Sequence, residues 1–171
     1  MTSASMILAL HYLVLAAFAG LMTVAAIEDF RRFTIPNWLT LSACLLWPAY
    51  LIAAPSWHAA LGSLGCAFAV FAVGAVLFAR GYVGGGDVKL LAAATLWAGP
   101  AGCPSLLMMT GIFGGVLSLI LVSPVGAYLV ASTRVQPGPA PATVGAGGQP
   151  VPYGVAIAAA ALSVILPPQF S

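Results

Sequence analysis

The sequence predicts an all-α, polytopic membrane protein: a six-transmembrane-helix bundle with a short fourth helix, built as a single transmembrane domain over residues 1–171. Two observations lead there. The chain is 62% hydrophobic and only 5% charged, with a mean hydropathy of +1.10. A soluble domain carries about 25% charged residues to keep its surface in water, so most of this surface has to meet lipid. The second observation is the recurrence of apolar runs, at about residues 6–27, 38–54, 59–79, 88–98, 105–130 and 151–166. Most approach the roughly 20 residues that cross a hydrocarbon core. The implied partner is the lipid bilayer, and a net charge of +2 is too small to point to nucleic acid. The oligomeric state is not legible, and no internal repeat stands out.

The first run is long enough to span, and the N-terminal Met-Thr-Ser-Ala-Ser lacks a basic region, so a retained helix is expected rather than a cleaved signal peptide. It ends in the charged cluster Glu28-Asp29-Phe30-Arg31-Arg32, which belongs at a membrane face. Ile35-Pro36-Asn37 follows, with Pro36 in a turn or the first turn of a helix. The second run carries Trp38, Trp47 and Tyr50 near its ends, where aromatic rings suit the headgroup belt. Pro55 to His58 form a short loop, and the third run closes at Arg80.

The loop Gly81-Tyr82-Val83-Gly84-Gly85-Gly86-Asp87 leads into the fourth run, whose ten or so residues cover only about half the hydrocarbon thickness. Gly99 to Pro104 should break the chain before the fifth run, which Pro124 and Gly126 kink or end early. Residues 132–150 are rich in Pro and Gly and read as a flexible loop. The last run stops before Pro167-Pro168.

With six crossings, Arg31, Arg32, Arg80, Lys89 and Arg134 fall on one side, which accounts for all five cations. That side is cytoplasmic by the positive-inside rule, with both termini outside. Were the short fourth run not to cross, Arg134 would change sides.

The chain has three acids, Glu28, Asp29 and Asp87, and this path puts all three on the cytoplasmic face. Carboxylates near a bilayer usually pair with a cation or serve a function. Pairing with Arg31, Arg32 or Lys89 is the plain alternative. Against it stand the glycines Gly84, Gly85 and Gly86 before Asp87, which let the backbone turn sharply and make room for an extended peptide. Two carboxylates sharing a site do not both ionise easily, so one keeps a proton. One can then take a proton from water while the other polarises a carbonyl. His11 and His58 lie away from the acid face, Lys89 and Arg80 read as interface anchors, and no serine has a partner base. Cys44, Cys66 and Cys103 are widely spaced, with no C-x-x-C pair, and read as buried small apolar residues. No metal-ligand cluster is visible, and no cofactor is implied.

Asp29 to Asn37 has the form D-x5-I-P-N, and Gly84 to Lys89 the form G-x-G-D-V-K. Together they resemble the two aspartate motifs of the type IV prepilin peptidases, in the same order and each at the cytoplasmic end of a helix. Pro152-Tyr153-Gly154 is similar to the segment that opens the last helix of that family. The resemblance implies a six-helix G-x-G-D aspartyl protease of the inner membrane. Its catalytic residues would be Asp29 and Asp87, with Gly84, Gly85, Gly86 and Lys89 in the active-site loop. Ile35, Pro36, Asn37, Pro152, Tyr153 and Gly154 would support the motifs. Its substrate would be a prepilin or pseudopilin, cut after a glycine to release a short basic leader. Members with an extra cytoplasmic domain carry C-x-x-C pairs and also N-methylate the product. The short link here resembles the peptidase-only branch associated with Flp/Tad pili, without methyltransferase activity. A presenilin-like protease cutting inside membrane helices is the enzyme alternative. A small transporter or pilus-assembly scaffold is the non-enzyme one, though transporters often show repeats and mid-membrane charges.

Overall fold

The computed structural model describes residues 3–53, 57–123 and 151–166, with no strand among them. The expected loop at 132–150, Pro55 and Ser56 of the expected loop at Pro55 to His58, and the residues from Pro124 onward in the fifth run lie outside the described residues. So does Arg134. Trp57 and His58, expected in the same loop as Pro55, are already helical. Helix α1 is Ser3–Arg32, α2 Asn37–Ala53, α3 Trp57–Ala79, α4 Gly85–Val122 and α5 Tyr153–Ile165. Three of them, α1, α3 and α4, are long and apolar enough to cross a membrane, and α2 and α5 are shorter apolar helices. The polypeptide is a membrane protein.

Six helices were expected and five are described, because the fourth and fifth runs join in the 38-residue α4. Its single break is Gly99, at φ 66 and ψ −176, a conformation essentially reserved for glycine. Pro100 follows, as a proline can at the first position of a resumed helix, where its missing N–H leaves no bond unmade. The expected break across Gly99 to Pro104 is therefore one residue wide. Close packing holds the bend against α3. A Cβ on Gly62 would meet Pro100 Cγ at 2.6 Å, and one on Gly74 would meet Val88 Cγ1 at 2.6 Å. Small residues that let backbones approach are the usual means of helix association in lipid, where apolar burial drives little.

The helix ends on the acid-bearing face are well formed. Helix α1 runs past the expected boundary at 27 to Arg32 and stops at Phe33, which takes φ 51 and donates its N–H to the Asp29 carbonyl at 2.8 Å. That is a left-handed cap closing on the last turn. Helix α3 ends in a Schellman motif, in which Tyr82 N–H bonds the Leu77 carbonyl and Gly81 N–H that of Phe78. Gly81 supplies the positive φ of 77.

Helix α5 packs on α4 and α1, with Ala156, Ile157, Ala158, Ala160 and Ala161 all buried. Around it Phe18, Met22, Leu39, Leu90 and Leu106 are fully enclosed. Phe18 stacks on Trp97 with ring centroids 4.3 Å apart. The Trp97 indole N–H donates to the Ala43 carbonyl at 3.0 Å. Outward, Leu45, Ile52, Phe68 and Leu119 are among many large apolar side chains left exposed.

Two sequence expectations change here. Trp47 is buried in the core rather than set in a headgroup belt, since it faces the other helices and not lipid. Cys44 is exposed, and Cys66 and Cys103 are half-buried, so none of the three is the enclosed residue expected. An outward-facing thiol is cheap where the surroundings are lipid.

Candidate active site

Asp29 lies in the last turn of α1, where the partial negative charge of the helix end opposes a carboxylate. The sequence breaks that local rule, and the structure shows what offsets it. The first turn of α5 points at the side chain. Gly154 N–H donates to Asp29 Oδ2 at 2.7 Å. A helix N-terminus, with free N–H groups and positive dipole end, suits an anion. The approach requires glycine, because a Cβ on residue 154 would sit 2.8 Å from Asp29 Oδ2 and 2.8 Å from Ile35 Cδ1. Tyr153 is locked beside it, since a Cβ on Gly114 would meet its ring at 2.6 Å.

Asp87 lies in the first turn of α4, where a carboxylate is favoured. Its side chain folds back onto the Gly84 backbone N–H, in the manner of a capping box. The glycines were expected to make room for a peptide. Instead, the space beside Gly84 holds the Asp87 carboxylate itself, with Oδ2 2.7 Å from where a Cβ would be. The space beside Gly86 holds Ile35, at 3.2 Å from such a Cβ. Gly85 faces the Phe78 ring at 3.2 Å. These glycines bring the α4 N-terminus close to its neighbours.

The two aspartates are only 4% and 8% exposed, and close enough for the Asp29 charge to act on Asp87. Ile35 packs between their elements, touching the positions of both Gly86 and Gly154. Among the described residues the one ion pair is Glu28 with Arg32 at 3.4 Å, one helical turn apart. Simple pairing with a cation thus describes Glu28 and neither aspartate. Lys89 does not reach them: its Nζ donates to Asn37 Oδ1 at 2.9 Å. Pro36 accepts the Leu39 N–H at 3.1 Å, forming the turn that starts α2. His11 packs against the rings of Tyr12 and Tyr50. No group of three or more His, Cys, Asp or Glu suited to a metal ion occurs among the described residues.

Two buried carboxylates at neighbouring helix ends, without a cation on either, are the arrangement that the paired motifs lead one to look for. A model of the type IV leader peptidase family matches residues 16–119, more than half of the chain and both aspartates. The chain belongs to the type IV leader peptidase family. No curated protein and no solved structure matches it. For a leader peptidase, the informative contact lies beyond the matched stretch. The sequence marks Pro152-Tyr153-Gly154 as a motif, but nothing in 125 residues of separation tells that Gly154 holds Asp29. The roles of Ile35 and of the Lys89–Asn37 bond were equally out of reach, because each depends on which helix ends meet.

Proposed function

We propose that this membrane protease removes the leader of prepilins or pseudopilins at the cytoplasmic face of the inner membrane, with Asp29 and Asp87 as the catalytic pair. The observation that carries the reading is the burial of both motif aspartates beside one another, each held by helix N-terminal N–H groups and neither in an ion pair among the described residues. Two like charges in so dry a site are less costly when they share a proton. One carboxylate then takes a proton from water, and the water oxygen adds to the scissile carbonyl. The other carboxyl gives its proton to the carbonyl oxygen. Collapse of the resulting diol breaks the C–N bond and passes a proton to the leaving amine.

In this reading residues 1–171 act as one peptidase domain without N-methyl transfer, as in the Flp/Tad branch. The two parts of α4 cross separately, placing both termini outside and the acid face inside. Coexpression with a prepilin tests the assignment. Asp29→Asn and Asp87→Asn each lower cleavage by about 1,000-fold or more while inserting at normal levels. Normal processing by either variant refutes it. Cut sites mapped by mass spectrometry to the middle of an apolar helix, rather than after a basic leader, would mark a presenilin-like protease instead.

A further inference from the structure

The two halves of the candidate dyad reside on helices that hardly touch along their backbones: α1 packs on α2 and α5, and α4 on α3, α5 and α2. The position of Asp87 relative to Asp29 therefore depends on contacts that bridge them. Two are visible at the acid face. Ile35 fills the gap between Gly86 and Gly154, an apolar spacer that sets how close the elements come but makes no directional bond. The second is directional. Lys89, two residues after Asp87, donates from Nζ to Asn37 Oδ1 at 2.9 Å, joining positions 52 apart in sequence.

Local preference does not explain Lys89. A cation near the N-terminal end of a helix is opposed by the dipole, and no carboxylate pairs with it among the described residues. Its hydrogen-bond partner is the first residue of α2, across the short link that follows the end of α1 at Arg32. Asn37 is itself exposed and in the first turn, with no core to pack.

We infer that the Lys89–Asn37 hydrogen bond is a strap that sets the register of Asp87 against Asp29, so that Lys89 and Asn37 are positioning residues of the peptidase. The role rests on the reading of the aspartates as the catalytic pair. A plain interfacial anchor would need the Lys89 charge and nothing from Asn37.

Two measurements on the full chain decide it. In a chain with Cys44, Cys66 and Cys103 changed to alanine, Asp29→Cys and Asp87→Cys are joined by a short bifunctional thiosulfonate. Asn37→Leu slows that cross-link at least about threefold, as expected when an ion-assisted hydrogen bond is lost. An unchanged rate overturns the strap, whether or not the protein cleaves anything. In the active chain, cleavage of a peptide with a basic leader ending in glycine is followed. Asn37→Leu and Lys89→Met each lower kcat about 10-fold with KM unchanged, and the double variant is no worse than the poorer single. Lys89→Arg, which keeps a donor, restores most of the rate. Multiplicative losses, or a silent Asn37→Leu, overturn the strap. A wild-type chain that cleaves no such peptide defeats the leader-peptidase reading alone, because the cross-linking result still stands.

Discussion

Asp29 is held by an atom that carries no side-chain chemistry, the Gly154 backbone nitrogen, so the residue to change is the glycine. Gly154→Ala would place a Cβ 2.8 Å from the carboxylate oxygen and from Ile35, and something must shift. Displacing a reacting group by about 1 Å costs on the order of 100-fold in rate. Gly154→Ala is therefore expected to lower kcat by about that factor while the protein still inserts, whereas Gly115→Ala, with open space around it, is silent. Equal activity of the two variants in a cleavage assay would show that Asp29 tolerates the shift. At this scale the sequence was half legible. The motif separates Asp29 from its neighbour Glu28, and the structure separates them again, burying the first and pairing the second with Arg32. Which backbone donors meet the carboxylate was not legible, because hydrogen bonds between distant segments leave no periodic mark.

Among the elements, α4 joins Asp87 at its first turn to the long segment beyond the bend. The bend turns on one residue. Gly99 at φ 66 and ψ −176 takes a conformation that costs other residues about 1–3 kcal/mol, and a Cβ there would also lie 3.2 Å from Ser63 Oγ. Gly99→Ala is expected to lower the thermal midpoint in detergent clearly, while Gly65→Ala, a helical glycine facing open space, leaves it the same or slightly higher. Equal midpoints would mean that the bend relaxes without strain. The Gly-Pro pair pointed to a break here, and a break is present. Its width was misjudged because proline suits the first turn of a helix as well as a loop.

The whole molecule is apolar outside and tight inside. Phe68, Leu119 and Ile52 face outward, while alanines of α5 and glycines of α3 form the contacts between helices. The proposed path through the bilayer rests on the cations. A reporter fused after Gly145 is expected on the cytoplasmic side, with Arg31, Arg32, Arg80 and Lys89. An extracytoplasmic signal there would remove the six-crossing path. Composition alone determined that this chain lives in lipid, since eight charged side chains do not cover a soluble surface. The paired motifs singled out the two aspartates, because residue type and spacing are properties of the chain. Only the tertiary structure decided that Gly154 faces Asp29, that Ile35 rather than substrate occupies the space at Gly86, and that Lys89 ties to Asn37. Those facts belong to helix ends brought together by packing, and packing geometry in three dimensions is not written in any local pattern.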